Sequence, residues 1–173
     1  IMVTSSLPNE GKSTITGNLA VVMAQSGSKV LLVGADLRRP QLFEMFGQKN
    51  VPGLVDLLID EDPNSLRHIS SPRIDFLPAG TIPPNPADLL ESKRMAKLLL
   101  QLRERYDYVV IDAPPVLPVT DAQILAPLVD IVLMVVEPCR VPEKAALQVV
   151  STLADVDVKI SGVILNDKSG SGF

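Results

Sequence analysis

The chain has 173 residues, 46% of them apolar, which is enough for one hydrophobic core and excludes wholesale disorder. Its 16 Lys and Arg face 20 Asp and Glu, a net charge of −4 that argues against a broad nucleic-acid footprint. Cys139 is the only cysteine, so no internal disulfide forms and a reducing compartment is natural, and the longest apolar run, "IVLMVV" at 131–136, is far too short to span a bilayer.

In chain order, the first element is the apolar run "IMV" at 1–3. No signal-peptide pattern precedes it, and because Ile1 already lies inside a strand, residues 1–173 read as a single domain cut from a longer chain. "SSLPNEGKST" at 5–14 follows, then an amphipathic helix on Ile15, Leu19, Val22 and Met23, stopped by Gly27. "VLLV" at 30–33 leads into Gly34, Ala35, Asp36, Leu37, Arg38 and Arg39. "IDFL" at 74–77 is followed by a proline-rich loop at 82–86, and Met95, Leu98, Leu99 and Leu102 mark a second helix. "YVVI" at 108–111 ends in Asp112 and the proline run at 113–118. "IVLMVV", a helix on Ala146, Val150 and Leu153, and "GVIL" at 162–165 complete the order before a tail at 167–173.

Six mainly apolar runs without polar alternation predict strands buried on both faces. Strands alternating with helices predict an α/β fold, a mostly parallel open sheet with helices on both faces. Ligands of such sheets bind beyond the carboxyl ends of the strands, and the proline-rich loops read as stiff segments at that edge.

The chemistry gathers there. Gly11, Lys12 and Ser13, between a strand and a helix, have the context of a P-loop. Glycine admits phosphates close to the backbone, Lys12 reaches the β- and γ-phosphates, and the Ser13 hydroxyl binds magnesium. Ser6 stands where the general pattern has its first glycine. The alternative is a helix start capped by Ser5 or Ser6, with Lys12 on a solvated face. Asp36 and Asp112, each at a strand tip, suit a magnesium that keeps several waters. Arg38 and Arg39 read equally as phosphate or partner contacts and as surface ion pairs. No G-x-G-x-x-G is present, so a dinucleotide site lacks its central feature.

Together "VTSSLPNEGKST", "VLLVGADLRRP", "FLPAGTIPPNPADLLES", "YDYVVIDAPPV", "VTDAQILAPLVD" and "GVILN" resemble the bacterial tyrosine kinases, the P-loop BY-kinases of capsule and exopolysaccharide systems. The resemblance implies an ATP- and Mg2+-dependent protein-tyrosine autokinase. In it Lys12, Asp36 and Asp112 are catalytic, and Ser13, Asp36 and Asp112 hold the metal. Ser6, Pro8, Asn9, Glu10, Gly11, Lys12, Ser13 and Thr14 cradle the nucleotide, and Asn166 matches the position that recognises adenine in related ATPases. It also implies self-association with phosphorylation in trans, a membrane-embedded polysaccharide co-polymerase or adaptor as partner, no nucleic acid, and a place at the cytoplasmic face of the plasma membrane. Partitioning ATPases are the competing relatives. They carry an extra lysine five residues before the main one, where this chain has Leu7.

Two departures stand out. The family reads Asp-x-Asp-x-Arg at the second strand, and Gly34 replaces the first acid. A phenol with a pKa near 10 needs help to react near neutral pH, and losing a positioned base costs about 10²–10⁴-fold. Hence a slow kinase, or an ATP-binding assembly module with little transfer, is the alternative. The resemblance also implies a tyrosine-rich tail, which would begin about where "SGSGF" stands at 169–173; the tyrosines within the chain are Tyr106 and Tyr108, read as a partly exposed wedge and a packed residue. His68 and Cys139 lack partners in any recognisable motif and read as structural.

Overall fold

The computed structural model describes residues 1–70 and 73–167; the tail beyond 167 lies outside the described residues. The elements run β1 (Met2–Ser5), α1 (Lys12–Gln25), β2 (Val30–Gly34), α2 (Leu42–Met45), α3 (Leu54–Asp60), β3 (Arg67–Ser70), β4 (Arg73–Leu77), α4 (Pro86–Leu90), α5 (Lys93–Arg105), β5 (Tyr108–Asp112), α6 (Asp121–Leu125), β6 (Val132–Val136), α7 (Glu143–Ala154) and β7 (Gly162–Leu165). They build one sheet in the order β3-β4-β2-β5-β1-β6-β7, parallel except for the β3–β4 pair. Among the described residues no helix is long and apolar enough to cross a membrane.

Strand alternation splits the core in two. Leu31 and Val33 face a layer made by α3 to α7, where Leu54, Leu90, Met95, Leu99, Leu125, Val149 and Leu153 pack. Val30 and Leu32 face α1 and α2, packing with Ala20 and Leu42 of those helices and with Phe76 of β4. Both faces of β2 are therefore dry, as its unbroken apolar run requires.

The predicted α/β architecture holds, with four corrections. β3 has no counterpart among the six runs: it is a short antiparallel edge strand with a half-polar sequence. β7 is not buried on both faces, because it forms the other edge and leaves Val163 and Leu165 more than half exposed. In α1 the expected residues Ile15, Leu19 and Met23 do pack against the core, but Val22 points to solvent and the fully buried positions are Thr16, Gly17 and Ala20. Gly17 lets α1 lie close to α2: a Cβ there would already touch the Met45 side chain. In α7 Val149 packs where Val150 was expected, and Val150 is exposed.

Gly27 does end α1: at φ 96° it lets the Ser28 N–H reach the Met23 carbonyl and its own N–H the Ala24 carbonyl. The α5 stripe on Met95, Leu99 and Leu102 is buried as predicted, with Leu98 packed beside it. Tyr108, expected to be packed, is 40% exposed at the start of β5. Tyr106 is half-buried and donates its hydroxyl to Asp75 at 2.7 Å, and that carboxylate also meets His68 Nδ1 at 2.8 Å. Burial and the Asp75 charge push the Tyr106 phenol well above its ordinary value.

Candidate functional site

β1, β2 and β5 are neighbours in the sheet, so the segments leaving their carboxyl ends meet. The first is the loop at 6–11. Asn9 and Gly11 both take left-handed backbone, φ 67° and 87°, a geometry that turns successive amides toward one side. Gly11 is the N-cap of α1, and no side chain caps that helix. Lys12 is only 8% exposed, which excludes the reading of a capped helix with a solvated lysine. The loop is tied to the segment after β5 by main-chain bonds from Val116 N–H to the Ser5 carbonyl and from Leu117 N–H to the Ser6 carbonyl. The Thr4 hydroxyl adds a bond to the Pro114 carbonyl at 2.7 Å.

The second segment carries Asp36. Its carboxylate accepts from the Arg39 N–H at 3.0 Å, closing a tight turn. Arg38 swings the other way and makes a bidentate pair, 2.9 and 2.8 Å, with Asp121 at the start of α6, a fully buried carboxylate. Of the two earlier readings for Arg38, the ion pair is the one present, and it is anchored in the core. The third segment begins at Asp112, which is 1% exposed.

These parts converge on one ammonium. Lys12 Nζ lies 2.9 Å from Asp36 Oδ2, 3.4 Å from Asp112 Oδ1 and 3.2 Å from Ser13 Oγ. Ser13 also hydrogen-bonds Asp112, as does Thr16 Oγ1 at 3.4 Å. Burial pushes the Asp112 carboxyl up, with Lys12 and Ser13 pulling it back. For Lys12, burial works to lower the value, but Asp112 and Asp36 outweigh it and hold the ammonium charged.

Around the cluster opens a cleft of about 550 Å³, within the usual range for a small-molecule site. Pro8, Asn9, Gly11, Lys12, Ser13 and Thr14 line one side, and Asp36, Arg38, Arg39 and Gln41 another. Pro114, Pro115 and Pro118 form the third, so the second proline-rich loop is at the binding edge as expected; the loop at 82–86 is not part of the lining. An anion-receptive loop, an ammonium, a hydroxyl and two carboxylates within reach of one another match a nucleotide phosphate chain with a hydrated divalent cation. Of the remaining sequence-predicted residues, Ser6 Oγ is buried with no hydrogen-bond partner among the described residues. The Glu10 carboxylate turns into the loop, accepting from the N–H groups of Leu7 and Glu137, and burial pushes its pKa up. Asn166 donates its Nδ2 to the Glu10 carbonyl at 2.8 Å, which places the tip of β7 against the loop.

Gly34, opposite Asp112 in the sheet, packs against the turn after β4: a Cβ there would lie 3.1 Å from the Ala79 nitrogen. That turn is pinned by the Leu54 and Val55 N–H groups, which donate to the Pro78 and Ala79 carbonyls. Sequence reasoning missed two residues here. Asp121 carries no signal of its own, although it sits in the quoted run "VTDAQ". Arg140, far away in sequence, donates to the carbonyls of Asn9 at 2.7 Å and Pro8 at 3.3 Å.

The chain matches the AAA domain family over residues 9–164. It is 41% identical over 170 residues to the tyrosine-protein kinase YwqD of Bacillus subtilis, covering 97% of this chain and 72% of that protein. The chain belongs to the bacterial tyrosine-protein kinases. The kinase domain of the Escherichia coli tyrosine kinase ETK superposes with a TM-score of 0.93 at 35% identity, over 99% of this chain and 69% of that one. Longer family members extend well beyond the matched part: the tyrosine-protein kinase Wzc of Salmonella typhimurium is 36% identical over 96% of this chain, which spans only 23% of its length.

Proposed function

We propose that this chain is the catalytic domain of an ATP- and magnesium-dependent protein-tyrosine kinase that phosphorylates tyrosines on other copies of itself. The observation that carries the reading is the convergence of Ser13, Asp36 and Asp112 on Lys12 at the mouth of a phosphate-receptive loop. In this reading the loop amides and Lys12 hold the β- and γ-phosphates, while Ser13, Asp36 and Asp112 hold the cation. Magnesium, when bound, neutralises phosphate charge, which is most of what phosphoryl transfer asks of a protein. Asp36, at the cleft wall, is the carboxylate placed to assist the acceptor phenol, and Arg39 at the rim adds positive charge. Asn166, at the tip of β7 beside the loop, would recognise the base. The protein works with a membrane-embedded polysaccharide co-polymerase or adaptor at the cytoplasmic face of the membrane, in capsule or exopolysaccharide synthesis.

Full-length protein incubated with labelled ATP and magnesium is expected to accumulate phosphotyrosine, and Lys12→Ala to abolish the signal. Gly34 supports a second reading, a nucleotide-gated assembly module, because the family's first acid is absent where the turn at 78–79 presses close. Tight ATP binding with a change of oligomeric state and no phosphotyrosine would favour that module over the kinase.

A further inference from the structure

The phosphate loop has a difficulty that its sequence does not solve. Presenting several N–H groups inward requires left-handed backbone at Asn9, and Asn9 is not glycine. Its carbonyl and that of Pro8 are correspondingly turned outward, where Arg140 takes them both: Nη1 bonds the Asn9 oxygen at 2.7 Å and Nη2 the Pro8 oxygen at 3.3 Å. The guanidinium is itself aimed by Glu137, whose Oε2 lies 2.8 Å from Nη1. The Glu137 N–H in turn donates to the Glu10 carboxylate at 3.3 Å, and Asn166 Nδ2 fixes the Glu10 carbonyl. Groups beyond the ends of β6 and β7 thus hold the outer side of the loop at three consecutive residues.

We propose that Arg140 is a positioning residue for nucleotide binding: by clamping the Pro8 and Asn9 carbonyls outward it keeps the opposing N–H groups aimed at the phosphates of a nucleoside di- or triphosphate. The inference rests on the nucleotide reading of the cleft and extends it to a residue outside the lining. A planar fork that spans two carbonyls is needed, so lysine, a single rotating point charge, replaces it only in part.

The test uses the full-length protein as wild type, Arg140→Ala and Arg140→Lys, with Mg-ADP and Mg-ATP titrated calorimetrically and hydrogen exchange followed without nucleotide. Loss of one charged donor pair predicts about a tenfold rise in Kd for both nucleotides in Arg140→Ala. Because binding of ground and transition states suffers alike, KM for ATP rises with kcat little changed. Arg140→Lys recovers part of the affinity. Exchange in nucleotide-free Arg140→Ala speeds up at residues 6–12 and stays unchanged elsewhere. Wild-type affinity in Arg140→Ala, or faster exchange spread over the whole chain, would overturn the proposal. Wild-type protein that takes up no ADP at all overturns the nucleotide reading as well, a result distinct from Arg140→Ala matching a wild type that binds.

Discussion

Replacing Lys12 by methionine keeps the aliphatic stem and removes the charge that Asp36 and Asp112 share. The two carboxylate side chains are 8% and 1% exposed, so water compensates them little, least of all Asp112. Removing one partner of a buried ion pair costs about 3–5 kcal/mol. At this chain length about 2–4 °C of melting temperature corresponds to each kcal/mol, so the free variant is expected to melt roughly 6–20 °C below wild type near neutral pH. The pH dependence carries the sign. Burial raises the Asp112 pKa above its unfolded value, so the folded state binds the proton more tightly, and stability falls as pH rises through the interval between the two values. Lys12 limits that rise; without it the interval extends upward. Lys12→Met should therefore regain melting temperature on going from about pH 7 to about pH 5 by more than wild type does. Magnesium alone should also raise its melting temperature more than that of wild type, since no ammonium competes for the carboxylates. Thermal melts by circular dichroism at both pH values, with and without magnesium, decide the matter. A variant melting within a degree or two of wild type and indifferent to pH would show that Lys12 does not compensate these acids.

Three further outcomes follow from the same geometry. Gly34→Asp should raise phosphotyrosine output per folded molecule at least about tenfold over Gly34→Ala, since a positioned base is worth about 10²–10⁴-fold. Both variants should melt lower than wild type, because the new Cβ presses on the Ala79 nitrogen; equal output from the two would remove the rate argument for that position. Arg38→Met and Asp121→Leu should each destabilise by about 1–3 kcal/mol, while the double variant costs clearly less than their sum, as a denaturation cycle will reveal. Tyr106 keeps its proton beyond the ordinary tyrosine range because of burial and Asp75. A spectrophotometric titration should therefore show a phenolate transition above about pH 10 that Tyr106→Phe deletes.

The phosphate loop, Asp36 and Asp112 were legible because each is announced locally, by an apolar strand followed at once by the residues that do the chemistry. β3 was not, since four residues of mixed polarity at a sheet edge generate no periodic signal. The α1 stripe was legible at Ile15, Leu19 and Met23 and failed only at Val22, while the most deeply buried positions, Thr16, Gly17 and Ala20, are small or polar residues that a hydrophobicity pattern does not mark as core. Tyr108 looked packed because it opens an apolar run, but it is the first residue of β5 and 40% exposed. Arg140 escaped because its partners are main-chain oxygens, which every residue has and no sequence advertises. The side chain that selects Arg38, Asp121, was present in a quoted segment and became meaningful only when α6 was seen to start beside the second strand's tip.

The stitching of the segment after β5 onto the first strand's exit loop relies on two amide-to-carbonyl bonds and a single hydroxyl. Since the backbone supplies most of that seam, the distance from phosphate loop to proline wall is set by the fold's skeleton rather than by the identity of the wall's side chains. Substitutions at Pro114, Pro115 or Pro118 would therefore reshape that wall of the cleft while leaving in place most of the seam that sets its spacing from the phosphate loop.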